Sequence, residues 1–213
     1  MAGPLTPGSS APAAGGDEPG FALLFVCTGN ICRSPLAERF ARAYLGTALG
    51  PGSAAVQVAS AGTYAATGRS MDPASARVLQ ELGGDPSGFQ AQRLTGRLAV
   101  AADLTLCMTR QHRQAVLAHA PRALARSFTL REAADLLAHV PAGELPGGTP
   151  RERARALVAA LAAARSRHAG GADDDIADPI GQPDVVHEAV GAEIAAALRP
   201  LLDRLVPVVA ARA

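Results

Sequence analysis

A short apolar run and the cysteine-containing loop after it constrain the fold of this chain more than any other feature. Residues Phe21 to Val26 are continuously apolar, which is typical of a short strand buried on both faces. The loop Cys27-Thr-Gly-Asn-Ile-Cys-Arg-Ser34 follows. Ser34 and Pro35 then predict a helix start, with Ser34 as the N-cap and Pro35 as the first helical residue. The sequence thus predicts a strand, a tight loop and a helix in direct succession.

Strands and helices alternate along the rest of the chain. The patterns predict further strands at 55–59, 103–108 and 127–130, and helices after Asp72-Pro73, after Thr109, and over 131–138, 151–168 and 183–205. Such alternation favours an α/β fold in which a four-stranded parallel sheet carries helices on both faces, making three layers.

Composition sets the limits of the domain and excludes several classes of protein. Residues 1–20 are rich in Pro, Gly, Ser and Ala and are expected to be a disordered tail, not a signal peptide. We expect one domain over 21–208, with a helical insertion at about 140–172 that is either a surface addition or a lid. The net charge of +1 argues against a nucleic-acid-binding domain, and no apolar run is long enough for a transmembrane helix. Three cysteines suit the reducing cytoplasm.

The loop has the composition of an anion-binding site that includes a nucleophile. In an open α/β sheet, ligands bind where the carboxyl end of a strand meets the amino terminus of a helix, and backbone N–H groups there can surround an oxyanion. The Arg33 guanidinium adds a full charge with bidentate geometry for phosphate oxygens. The same positive field favours the thiolate of Cys27, and the Ser34 hydroxyl can donate to its sulfur. Cys27 is therefore predicted to attack the phosphorus of a bound phosphate.

Residues 26–35, Val-Cys-Thr-Gly-Asn-Ile-Cys-Arg-Ser-Pro, resemble the signature of the low-molecular-weight protein tyrosine phosphatases. Further similarity lies in residues 60–62, 102–108 and 176–179. The resemblance covers roughly residues 21–206 apart from part of 140–172. It implies the flavodoxin-like fold of that family and a phosphatase that needs no metal and no organic cofactor. A bacterial source is suggested by composition instead, since the chain is rich in Ala and Arg and has no Lys.

The resemblance also implies a reaction through a cysteinyl-phosphate intermediate. Cys27 would be the nucleophile, Arg33 would stabilise the transition state, and Asp178, in an Asp-Pro loop, would be the general acid. The predicted substrate-binding residues are those of the loop and one tyrosine, namely Thr28, Gly29, Asn30, Ile31, Cys32, Arg33, Ser34 and Tyr64. The resemblance further implies a reversible disulfide between Cys27 and Cys32. Ser60 is either a partner of Asn30 or an ordinary turn residue.

Two residues bear on the choice of substrate. Ile31 is similar to the tyrosine-specific members, whereas relatives that act on phosphoarginine carry a smaller Thr. Ile180, however, stands where many tyrosine-specific members carry an aromatic residue. Tyr64 could supply that aromatic wall or could be a plain surface residue. The predicted substrate is a phosphotyrosine protein, which in bacteria is often a tyrosine kinase or one of its targets. The alternative is a protein arginine phosphatase.

Two other functions stay open. An arsenate reductase needs a relay of further cysteines, but Cys107 lies in the middle of an apolar strand and is expected to be buried. A phosphate-binding or redox-sensing module without catalysis predicts loss of the nucleophile, the arginine or the acid, and all three are present. The histidines show no metal-ligand spacing. His112, His119 and His187 are expected on helix surfaces, and Asp173–Asp175 is expected to be a solvated acidic run.

Overall fold

Four parallel strands form one sheet in the order β2-β1-β3-β4. In the computed structural model, which describes residues 20–141, 145 and 149–206, they are β1 (Phe21–Cys27), β2 (Val56–Gly62), β3 (Leu104–Cys107) and β4 (Ser127–Thr129). The central strand β1 pairs with β2 on one side and with β3 on the other. The order of the strands therefore reverses at β1, and this is where open α/β sheets bind ligands. The predicted parallel sheet is confirmed, whereas the predicted tail lies outside the described residues except for Gly20.

Helices follow the strands as the alternation predicted. The described helices are α1 (Arg33–Leu49), α2 (Pro73–Glu81), α3 (Gly96–Ala101), α4 (Arg110–His119), α5 (Leu130–Leu137), α6 (Pro150–Ala164) and α7 (Asp184–Asp203). The sequence patterns missed α3, which is too short to show helical periodicity and depends on its cap, where Thr95 Oγ1 accepts a hydrogen bond from Leu98 N. Within the described ranges, no helix combines the length and the apolar character that crossing a bilayer would require.

The side chains of β1 pack into separate cores on the two faces of the sheet. Phe21, Leu23 and Phe25 pack with α1, α2, α5 and α7 in the larger core, and Leu24 and Val26 pack with α3 and α4 in the smaller one. All five side chains are at most 2% exposed. The prediction of a strand buried on both faces is therefore confirmed, and both helical layers hold the carboxyl end of β1 in place.

Helix α6, within the expected insertion, packs at the end of the sheet where the strands begin, opposite to the cysteine loop. It contacts β1 and the 3-10 turns that precede β2 and β4, Gly50–Ala55 and Pro121–Arg126. Just beyond α6, Arg165 donates to Glu132, to Leu124 O and to Ser127 O, and its guanidinium stacks on the Phe128 ring. The turns that α6 contacts lie at the amino ends of β2 and β4, whereas the cysteine loop follows the carboxyl end of β1, so α6 is not a lid over that loop.

Candidate active site

The loop between β1 and α1 is held by its carbonyl groups. The carbonyl oxygens of Cys27, Thr28, Gly29 and Ile31 accept hydrogen bonds from the backbone N–H groups of the segment after β2, at 2.8–3.0 Å. In a trans peptide the N–H points opposite to the carbonyl. The N–H groups of the same peptide units therefore point away from that segment, into the space that the loop encircles. This arrangement and the amino terminus of α1 form a concavity for an anion.

Gly62, at the end of β2, permits this close packing. It pairs with Cys27 in the parallel register. A Cβ atom at this position would lie 2.5 Å from Thr28 O and 3.0 Å from Asn30 N. Only a glycine lets the segment after β2 approach the loop so closely.

A buried hydrogen-bond chain with a defined direction ends at the Cys27 sulfur. Asn30 Oδ1 accepts from the backbone N–H of Gln92 at 2.8 Å, which identifies the amide oxygen. Asn30 Nδ2 then donates to Ser34 Oγ and to Ser60 Oγ, at 2.9 and 2.8 Å. Because Ser34 Oγ accepts from Asn30, its own proton is free for Cys27 Sγ, 2.9 Å away. The Ser34 hydroxyl is thereby oriented to stabilise a thiolate.

The other branch of this chain ends at a carboxylate. Ser60 Oγ, which accepts from Asn30, donates to Glu38 Oε2 at 2.6 Å, and Glu38 pairs with Arg42 at 3.0 Å. Asn30, the centre of both branches, is fully buried and has a φ of 54°, a left-handed conformation that asparagine tolerates. The hydrogen bond between Ser60 and Asn30 that the resemblance implied is present.

Arg33 connects the loop to the segment that carries Asp178. Its side chain is 3% exposed; Nη1 donates to Ile176 O at 2.9 Å, and Nη2 donates to the Asp178 carboxylate. The buried Nε has no hydrogen-bond partner among the described residues. Asp178 itself is 41% exposed and sits at the mouth of the site. Arg33 and Asp178, which are 145 positions apart, thus meet at the loop. Arg33 Nε stays available as a donor for an incoming anion.

A small cavity of about 210 Å³ lies over the loop. It is lined by Cys27, Thr28, Gly29, Ile31, Cys32, Arg33, Asp178 and Ile180. Its walls are aliphatic where Ile31 and Ile180 face it, and its floor carries the thiol and the guanidinium. Asn30 and Ser34 lie behind this lining and act on the cavity through the loop. Tyr64 is 78% exposed and does not line the cavity, although its backbone N–H donates to Thr28 O at 2.9 Å.

His112 belongs to the site but was not predicted there. It is 4% exposed; Nε2 hydrogen-bonds Thr28 Oγ1 at 2.9 Å, and Nδ1 hydrogen-bonds Thr109 Oγ1 at 2.8 Å. Burial and the nearby Arg33 charge lower the pKa of His112 from 6.5 to about 4. The prediction that His112 lies on a solvated face is wrong, because α4 turns this residue toward the loop. Its position five residues after β3 ends was the sequence feature that could have indicated it.

Three more predictions of exposure or capping are wrong. Ser34 does not cap α1; Cys32 is the N-cap residue, and the Ser34 hydroxyl binds Cys27 instead. His187 is 3% exposed and hydrogen-bonds Ser75 Oγ, since α7 packs against α2. In the acidic run only Asp173 is exposed. Asp174 is buried against His168, and Asp175 pairs with Arg110, which lowers its pKa.

All three thiols are buried, and Cys27 itself is 2% exposed. Cys107 is inaccessible in β3, as predicted, and its burial raises its pKa. Cys32 is 4% exposed, and burial raises its pKa to about 12, against the effect of a hydrogen bond with Ser75. All three cysteines are free in this structure. The disulfide between Cys27 and Cys32 therefore stays a prediction.

Comparisons with known proteins agree with this geometry. Residues 22–141 match the sequence profile of the low molecular weight phosphotyrosine protein phosphatases. The probable low molecular weight protein-tyrosine-phosphatase EpsP of Ralstonia nicotianae is 40% identical over 110 residues, which are 52% of this chain and 70% of that protein. The protein-arginine-phosphatase of Geobacillus stearothermophilus is 30% identical over 185 residues, 87% of this chain and 93% of that one.

Solved structures extend the similarity to the three-dimensional fold. The low molecular weight protein tyrosine phosphatase from T. tengcongensis superimposes with a TM-score of 0.63 at 26% identity, covering 86% of this chain and 99% of that chain. The matched profile begins in β1 and includes the whole cysteine loop. From its sequence, its sheet order and its loop, this chain is a member of the low molecular weight phosphotyrosine protein phosphatase family.

Proposed function

We propose that this chain hydrolyses phosphotyrosine in proteins, with Cys27 as nucleophile, Arg33 as phosphate ligand and Asp178 as general acid. The observation that carries the proposal is the convergence of these three side chains on one 210 Å³ cavity. The cavity is large enough for a phosphate and an aromatic ring. The inward N–H groups of the loop supply further donors to the phosphate oxygens.

The hydrogen bonds suggest how binding prepares the reaction. A phosphate dianion competes with Asp178 for Arg33 Nη2, while Nη1 stays on Ile176 O and Nε offers an additional donor. Asp178 is then released at the mouth of the cavity, next to the leaving oxygen. Released from Arg33, the Asp178 carboxylate takes up a proton from solvent. The Cys27 thiolate then bonds to phosphorus as the P–O bond breaks, and Asp178 gives that proton to the leaving phenolate. The Asp178 carboxylate then takes a proton from the water that cleaves the S–P bond and releases phosphate.

The aliphatic walls support a phenyl ring as the group carried by the phosphate. Ile31 and Ile180 both line the cavity, and apolar side chains favour an aromatic ring over a charged guanidinium. Phosphoarginine is the second candidate, because the similarity to the protein-arginine-phosphatase extends over 87% of this chain. We also propose a phosphorylated protein, such as a bacterial tyrosine kinase or its targets, as the partner, and the cytoplasm as the location. The three free thiols support that location.

Steady-state hydrolysis of matched phosphotyrosine and phosphoarginine peptides, with EDTA present, tests the proposal. We expect turnover of phosphotyrosine, none by Cys27→Ser, and a loss of about 10²–10⁴-fold in kcat for Asp178→Asn. That loss should shrink with p-nitrophenyl phosphate, whose leaving group needs less protonation. Asp173→Asn, which removes an exposed carboxylate nearby, is the matched control. Preference for phosphoarginine would overturn the substrate assignment, and unchanged turnover by Cys27→Ser would overturn the mechanism.

A further inference from the structure

Three side chains with metal-binding atoms converge beside the cysteine loop, outside the proposed catalytic set. The Cys32 sulfur, an Asp72 carboxylate oxygen and a His187 ring nitrogen all lie within 4.8 Å of one another. They come from the N-cap of α1, the N-cap of α2 and the first turn of α7. Cys32 and His187 are 4% and 3% exposed, and Asp72 is half-buried. A thiol, an imidazole and a carboxylate are thus collected in one sheltered place.

The donor set indicates which cation would fit. Sulfur, nitrogen and oxygen donors together suit zinc and similar transition-metal ions, whereas magnesium and calcium prefer oxygen ligands alone. Zinc–ligand bonds of about 2.0–2.3 Å in tetrahedral geometry place neighbouring donor atoms roughly 3.3–3.6 Å apart. The distance between His187 Nδ1 and Asp72 Oδ1 is 3.6 Å. These two atoms are therefore already about as far apart as two ligands of one zinc ion.

The surroundings orient two of the three ligands. Asp72 Oδ1 is fixed by the backbone N–H groups of Ala74 and Ser75, at 3.0 and 3.2 Å. His187 Nδ1 is 2.9 Å from the Ser75 hydroxyl, which turns the ring edge toward Asp72. A metal on Nδ1 would replace this hydrogen bond. Three protein ligands would leave the fourth position for water or another small ligand.

We propose that Cys32, Asp72 and His187 form a binding site for a divalent cation of the zinc class. Binding replaces the S–H bond of Cys32 with a sulfur–metal bond and releases the proton to solvent. Since Cys32 is bonded directly to Arg33, an occupied site links the amino terminus of α1 to α2 and α7. The site adjoins the catalytic cavity, because Cys32 lines that cavity whereas Asp72 and His187 do not.

Titration of the chelator-treated full chain with Co²⁺, followed by displacement with Zn²⁺, tests the site. We expect one equivalent of Co²⁺ to produce a thiolate-to-cobalt charge-transfer band that Zn²⁺ abolishes. Cys32→Ser should remove the band. Asp72→Asn and His187→Gln should each weaken binding more than about tenfold. Circular dichroism and thermal melting establish whether each variant is folded. If His187→Gln is unfolded, the result for Asp72→Asn decides the outcome.

Two control variants distinguish this site from other metal-binding groups. Cys27→Ser should keep the band, because the nucleophile is not a ligand. His168→Gln should keep it too, because the cluster of Asp135, His168 and Asp174 has no sulfur. A band that survives in Cys32→Ser but disappears in Cys27→Ser would place the metal on the nucleophile and overturn the proposal. Absence of the band in the folded wild-type protein would also overturn it.

Discussion

Replacing Asn30 should destabilise the protein more than any surface substitution, because one side chain holds the loop to two neighbouring elements. Its amide makes three hydrogen bonds: two buried ones to Ser34 and Ser60, and a partly buried one from the Gln92 backbone N–H. At about 1 kcal/mol each, their loss costs about 3 kcal/mol. Alanine adds about 1 kcal/mol for the left-handed backbone, where φ is 54°. Asn30→Ala should therefore lower the free energy of unfolding by about 4 kcal/mol.

A second variant separates the two contributions. Asn30→Gly loses the same hydrogen bonds but adopts the positive φ freely, so it should be about 1 kcal/mol more stable than Asn30→Ala. Urea denaturation followed by circular dichroism, with reductant present, measures both differences from the midpoints at a common m-value. In thermal melts, the alanine variant should unfold about 8–16 °C below the wild type. A loss under about 1 kcal/mol in Asn30→Ala, or equal stability of the two variants, would refute the reasoning.

Three further predictions follow from buried contacts. The pKa of His112 falls from 6.5 to about 4 on folding, so the unfolded chain binds the extra proton and stability should drop by about 3 kcal/mol as pH falls from 7 to 4; His112→Gln should flatten that part of the stability–pH curve. Gly62→Ala forces a Cβ to 2.5 Å from Thr28 O and should abolish turnover, whereas Gly46→Ala, with no atom within 4 Å, should stabilise α1 by up to about 1 kcal/mol. Arg165→Lys should lower stability by about 2 kcal/mol in urea titrations, because the donors of an ammonium all sit on one nitrogen and cannot reach acceptors that three guanidinium nitrogens now serve. Lysine also lacks the planar group that stacks on Phe128. Unchanged midpoints would contradict this.

The sequence was most informative where structure depends on neighbouring residues. The apolar run before Cys27 predicted β1, because a strand buried on both faces needs only local hydrophobicity. Spacing within the loop predicted which groups share the anion site, since Cys27 and Arg33 are connected by a few residues of backbone. Asp178 was assigned by resemblance, and the structure places its carboxylate at Arg33.

Sequence patterns failed where burial depends on a partner far along the chain. His112, His187 and Asp174 looked like solvated residues of helices and loops, yet each is at most 6% exposed. Their burial comes from contacts with Thr28, Ser75 and His168 that local periodicity does not encode. Helix α3 was missed because a short helix has almost no periodicity to detect.

The sequence by itself therefore determined the succession of strands and helices along the chain, apart from α3, and the chemistry of the loop. Both depend on residues that are close in the chain. Only the tertiary structure decided the direction of the hydrogen-bond chain that ends at Cys27. It also decided that α6 packs at the amino ends of the strands, away from the cysteine loop. It alone brought Cys32, Asp72 and His187 together. These features arise when separate elements pack and desolvate polar groups, which must then find partners across the fold.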